Sequence, residues 1–200
     1  MTIIGVTGGM GSGKTLVSSM LGKLGAKVIE ADKVAKGLYA AEPDLKRDII
    51  EAFGMGILDE SGEVSFKRLA AEAFKDKSTT ATLNKITHPY IREAIRQLII
   101  DHSMTENIIA VDAALLFEGE LLYTVDYIIA VTAPEDGRID RIVKSGRFTE
   151  DEVRRRMKYQ LPDEEKAALS DFVIANTGTI EELERKVKDV FNQIKNPPDF

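Results

Sequence analysis

The stretch Thr2-Ile3-Ile4-Gly5-Val6-Thr7-Gly8-Gly9-Met10-Gly11-Ser12-Gly13-Lys14-Thr15 constrains this chain more than any other. A β-branched apolar run ends in four glycines within six residues, then a lysine and a threonine, and a helical pattern begins at once. Glycine is the residue most costly to order, so a glycine-dense turn between a strand and a helix has to wrap something. Gly8-x-x-x-x-Gly13-Lys14-Thr15 is the pattern of a phosphate-binding loop (P-loop), and it has the strand-before, helix-after context that pattern needs. Glycines let successive backbone N–H groups point inward around an anion. The helix start adds the positive end of its dipole. Lys14 can reach the β- and γ-phosphates of a nucleotide, and the Thr15 hydroxyl can ligate Mg²⁺. The plainer alternative is a flexible turn with an exposed lysine.

The rest of the pattern predicts an α/β fold. Apolar runs at Thr2–Thr7, Ala26–Ala31, Asn107–Val111, Tyr127–Thr132 and Phe172–Ala175 are continuous, as in strands buried on both faces of a parallel sheet. Helical patterns between them imply right-handed crossovers and a three-layer sandwich around a five-stranded parallel sheet. Lys14–Leu24 lines up Leu16, Val17, Met20, Leu21 and Leu24 on one face. Thr149-Glu150-Asp151-Glu152 and Thr179-Ile180-Glu181-Glu182 read as capping boxes opening helices. About 75 residues separate the second and third runs, far more than one crossover needs. That interval is helical in pattern over Asp44–Phe53, Phe66–Phe74, Thr80–Ile86 and Tyr90–His102, with Pro89 expected to break the last pair. The expected organisation is a nucleotide-binding core (1–32, 105–136 and 171–200), an inserted helical acceptor-substrate domain (33–104) and a helical lid (137–170).

Composition excludes several classes. There is no cysteine, hence no disulfide or thiolate metal site, and two histidines argue against zinc. A net charge of −6 argues against general nucleic-acid binding. No apolar run approaches membrane-spanning length, and the short apolar start runs into glycines rather than forming a signal peptide, so the expected address is the cytoplasm.

Beyond the loop, a kinase needs a group to take the proton of the attacking hydroxyl. Asp32 follows the second strand at the carboxyl edge, where α/β sheets bind ligands. It reads equally as a general base or Mg²⁺ partner and as a helix N-cap. Asp112 ends the third strand as a Walker-B aspartate does, and capping is its alternative too. Leu115-Leu116-Phe117 reads as packing or as a ligand wall. From Arg138 to Lys158, eight basic residues face four acidic ones in an acidic chain. Arginines there could close over a triphosphate, although i,i+4 pairing on a solvated face explains most of the run. His88 before Pro89 is a surface or capping residue, or lines a substrate groove.

These residues, in order and spacing, resemble the dephospho-coenzyme A kinase family over the whole chain. The similarity covers Thr7–Thr15, Glu30-Ala31-Asp32, His88-Pro89, Asp112-Ala113-Ala114-Leu115-Leu116-Phe117-Glu118, Gln160 and Asp171–Gly178. The resemblance implies ATP-dependent phosphorylation of the ribose 3′-hydroxyl of dephospho-CoA, with Mg²⁺, by a monomer or small homo-oligomer working on small molecules rather than nucleic acid or membrane. It implies Asp32 as base, with Lys14 and Arg141 acting on the phosphates. ATP would contact Gly9, Gly11, Ser12, Gly13, Lys14, Thr15, Leu16, Arg141 and Asn176. Thr7, Asp32, His88, Leu115, Leu116 and Phe117 would face the acceptor, and Thr15 and Asp112 the metal. Four positions depart from the family pattern: Thr15 where serine is commoner, a change that keeps the hydroxyl, Glu30 for aspartate, Ala114 for proline, and Ser145 where a second lid arginine is usual. Either Lys144 or Arg147 beside it replaces that arginine, or the lid is weaker. Other small-molecule kinases share the loop, base and lid, and a regulator that binds nucleotide without transferring phosphate shares the loop.

Overall fold

The computed structural model describes residues 1–119, 121–146 and 148–197. Its strands are β1 (Thr2–Thr7), β2 (Lys27–Glu30), β3 (Ile108–Asp112), β4 (Tyr127–Thr132) and β5 (Phe172–Ala175). They form one sheet in the order β2-β3-β1-β4-β5, with every pairing parallel. The helices are α1 (Lys14–Lys23), α2 (Ala31–Ala41), α3 (Pro43–Phe53), α4 (Phe66–Ala73), α5 (Lys77–Ser103), α6 (Glu135–Lys144), α7 (Glu150–Met157), α8 (Asp163–Ala168) and α9 (Ile180–Lys195). The chain divides into two compact units: residues 1–30 with 99–200, and residues 31–98.

The first unit holds the sheet. Val17, Met20 and Leu21 of α1 and Leu183, Val187, Phe191 and Ile194 of α9 pack on Ile4, Val6, Ala110, Ile129, Val131 and Ile174. Each large side chain so removed from water contributes about 1.5–3 kcal/mol. The alternating residues Ile109, Val111 and Ala130 are as deeply buried, so the sheet is covered on both faces. Gly5 is required in β1 because a Cβ there would press into the side chain of Leu116. Thr149 and Thr179 open α7 and α9 with complete capping boxes.

The second unit has its own core of Leu38, Leu45, Ile49, Ile57, Val64, Leu69, Ala73 and Leu83. Pro43 starts α3, and Ser65 caps α4 by accepting the Arg68 N–H. Pro89 does not divide the last helical stretch: α5 runs through it for 27 residues. Proline removes one ladder hydrogen bond and crowds the preceding turn, a cost of about 3 kcal/mol. Residues on both sides of it, Leu83, Ile86, Tyr90, Ile91 and Ala94, pack on the same core and offset that cost.

Candidate active site

The carboxyl ends of β1 and β3 meet at the phosphate loop. Register sets Asp112 beside Val6 on one side and beside Glu30 of β2 on the other. Gly13 is the N-cap of α1 in the left-handed region (φ 96°), with no side-chain cap and no acidic residue in the first turn. The positive end of the helix is therefore left to an anion. Lys14 forms an ion pair with Asp112, the two side chains being 12% and 3% exposed. Asp112 Oδ2 is buried and has no hydrogen-bond partner among the described residues. Thr15, one residue past Lys14, is exposed. A buried carboxylate oxygen without a donor, with the Thr15 hydroxyl next in sequence to its partner Lys14, is a donor set of the oxygen type that fits a hard dication such as Mg²⁺.

Four consecutive loop residues are each held by a side chain from far along the chain. Gly9 N–H donates to Asp163 Oδ1 at 3.0 Å and Met10 N–H to Gln160 Oε1 at 3.1 Å. Gly11 carbonyl accepts from Arg141 Nη1 at 3.0 Å, and Ser12 carbonyl from Asn176 Nδ2 at 2.8 Å. The loop thus has its shape imposed on it, which matters in a segment whose glycines would otherwise leave it loose. Arg138, 8% exposed, completes the arrangement by pairing with Asp163 at 3.2 Å. Burial pushes the Asp163 carboxyl pKa up, opposed by the Arg138 guanidinium and the Gly9 amide.

Gly9 has an ordinary φ, and its requirement is space: a Cβ would collide with both Arg138 and Asp163. Gly9→Ala is expected to cost about 1–3 kcal/mol of stability, the scale of overpacking, and to weaken ATP binding. Denaturant unfolding and calorimetric titration check the two effects.

The remaining candidates are placed as follows. Thr7 and Ser12 are fully buried, and the Thr7 hydroxyl donates to the Ala114 carbonyl at 3.4 Å. Leu16 leaves the apolar face of α1 and is 42% exposed beside Thr15. Leu116 is sealed in the core under Gly5, whereas Leu115 and Phe117 are half-buried. Asp32 is exposed in the first turn of α2, and His88 is half-buried in α5, both in the helical unit. Of the basic run, Arg138 and Arg141 reach the loop. Arg154 pairs with Glu150 and Lys144 with Asp140 at i,i+4 spacing on the surface. Ser145 is the C-cap of α6, its hydroxyl donating to the Ile142 carbonyl at 2.6 Å. Arg147 lies outside the described residues.

Sequence reasoning assigned no role to Gln160, Asp163 or Lys166, and Arg138 entered only as one of the basic run. Asp163 opens a helix after a proline, Asp-Glu-Glu-Lys, and so reads as a solvated start. Only the fold reveals that one face of that helix is buried.

The family model described as dephospho-CoA kinase matches residues 2–182. The dephospho-CoA kinase of Aquifex aeolicus (strain VF5) is 36% identical over 198 residues, covering 99% of this chain and 100% of the relative. Among solved structures, TT1252 from Thermus thermophilus is similar with a TM-score of 0.77 at 29% identity, over 96% of this chain and 97% of that one. The dephospho-CoA kinase from Campylobacter jejuni is similar with a TM-score of 0.68 at 26% identity, over 96% of each chain. With its P-loop built on a parallel sheet and a match along nearly its whole length, this chain belongs to the dephospho-CoA kinase family.

Proposed function

We propose that this chain transfers the γ-phosphoryl group of ATP to the ribose 3′-hydroxyl of dephospho-CoA, giving coenzyme A and ADP, the last step of coenzyme A synthesis. The observation that carries the reading is the uncapped helix start at Gly13 with Lys14 held beside Asp112, in a chain of this family. Phosphoryl transfer asks a protein for positioning and charge neutralisation more than for covalent chemistry. Amides of Gly11, Gly13, Lys14 and Thr15 surround the phosphates, those of Gly9, Met10 and Ser12 being taken up in holding the loop, and Lys14 moves from Asp112 to the β- and γ-oxygens. Arg141, on the Gly11 carbonyl of the loop, acts on the same phosphates. Leu16 and Asn176 border the nucleotide.

Thr15 and Asp112 would hold Mg²⁺, which when bound neutralises charge developing on the phosphates. With Lys14 turned to the phosphates, Asp112 would be left a buried carboxylate whose charge such a cation would neutralise. On the acceptor side, Asp32 accepts the proton of the 3′-hydroxyl. His88, Leu115 and Phe117 contact the acceptor, Leu116 anchors the latter two from the core, and Thr7 acts through the Ala114 carbonyl. In this reading residues 33–104 serve as the acceptor domain, 137–170 as the lid, and 1–32, 105–136 and 171–200 as the nucleotide-binding core. The acidic balance of the chain supports two small soluble substrates in the cytoplasm rather than a nucleic-acid partner. Among the described residues no helix is long and apolar enough to cross a membrane.

The test is a coupled ADP-release assay with ATP-Mg²⁺ and a set of acceptors: dephospho-CoA, adenosine, nucleoside monophosphates and shikimate. Efficient consumption of dephospho-CoA alone is the expected result. Preference for another acceptor, or tight ATP binding without turnover of any, overturns it.

A further inference from the structure

Lys166 is completely buried, the largest side chain so placed among the described residues. A desolvated ammonium is costly unless it is paired and hydrogen-bonded. Here it donates to the Ala114 carbonyl and pairs with Glu118 Oε1 at 3.2 Å. Both partners lie in the turn that follows β3, residues 113–119. Glu118 Oε1 also accepts the Leu161 N–H at 2.8 Å, just before α8. One helical turn before Lys166, Asp163 holds the Gly9 amide. The short helix α8 therefore presents two buried charges on one face, a carboxylate to the phosphate loop and an ammonium to the turn after β3.

That turn carries Leu115 and Phe117 and has little regular structure to hold it. Ala114, where the family pattern has proline, leaves its own φ unset by the side chain. Its carbonyl is instead held from two directions, by Lys166 and by the Thr7 hydroxyl that precedes the phosphate loop.

We propose that Lys166 is a positioning residue: its ammonium locks the 113–119 turn to α8 and so sets the acceptor-side wall of Leu115 and Phe117. It touches neither substrate, being shut off from solvent. The inference rests on the function proposed above, because it names the acceptor as the substrate whose binding depends on this lock.

Lys166→Met keeps the stem and removes the charge, leaving the half-buried Glu118 with the Leu161 N–H and no cation. Lys166→Met combined with Glu118→Gln removes that second burden as well. In the single variant the KM for dephospho-CoA is expected to rise ~10-fold, the dissociation constant for ATP to stay within ~2-fold, and amides of 113–119 to exchange ~10-fold faster than in the parent while those of 8–15 do not. In the double variant thermal stability recovers toward the parent, but KM stays raised and the turn still exchanges fast. If KM and exchange recover along with stability, or if ATP and acceptor affinity fall together, Lys166 is only a structural ion-pair partner and the proposal is overturned. Should the single variant not fold, the double variant and Glu118→Gln alone carry the same comparison. A parent protein that does not consume dephospho-CoA would refute the proposed function instead, and the exchange of 113–119 would still decide whether Lys166 locks the turn.

Discussion

Asp32→Asn is expected to leave the protein folded and able to bind ATP while lowering turnover with dephospho-CoA at least ~10²-fold, the usual scale for loss of a general base. Asparagine has the same shape and cannot take the proton. Asp32 is exposed in the first turn of α2, so its carboxylate contributes to stability only through the helix dipole, about 0.3–1 kcal/mol. The two roles left open by the sequence therefore separate cleanly. A base gives a large fall in kcat with an almost unchanged unfolding midpoint. A mere helix-start residue gives a small shift in midpoint and parental kcat. Steady-state kinetics beside thermal unfolding read both, and parental turnover in the variant would remove Asp32 from the mechanism.

Lys14→Ala is expected to weaken ATP binding about 10- to 100-fold, the worth of one hydrogen bond to a charged group at about 1.5–3 kcal/mol. It has a second consequence in the nucleotide-free protein. Asp112 is almost wholly buried and is paired with Lys14, so deleting the ammonium strands a carboxylate in the core. Breaking such a pair from one side costs about 3–5 kcal/mol. Adding Asp112→Asn relieves most of that loss without restoring affinity for ATP. Calorimetric titration and chemical unfolding of the single and double variants make the comparison. Undiminished ATP affinity in Lys14→Ala would contradict the assignment of residues 8–15 as the phosphate site.

The parts of this molecule that could be read along the chain are those whose causes are local. The phosphate loop is legible because its geometry needs particular residues at adjacent positions. β4 and β5 begin and end where their apolar runs do, and both threonine capping boxes form, since each involves residues three apart. Local rules mislead at two places. Pro89 looks like a break, but burial of flanking side chains outweighs its cost, and that burial comes from α2, α3 and α4, earlier elements of the chain rather than sequence neighbours of the proline. Leu16 fits the apolar stripe of α1 yet stays exposed, because the sheet-facing stripe begins at Val17.

The grip on the loop could not be derived from the residues themselves: Gln160, Arg141 and Asn176 entered through the family resemblance, with no hold on the loop assigned to them, and Asp163 entered through no signal. Asp163, Gln160, Arg141 and Asn176 reach the loop across sequence separations of 154, 150, 130 and 164 residues. No periodicity records which charged residue of a helix will face inward. Asp163 and Lys166 have the composition of a solvated helix and the surroundings of a core, a difference made by the strands and turns packed against α8. Residue order alone determined that this chain would make a phosphate loop on a parallel sheet, because hydrogen-bonding and torsional preferences act between neighbours. Tertiary structure decided which distant side chains grip that loop and which charges lie buried beside it, because burial and Coulomb attraction depend on distance in space rather than along the chain.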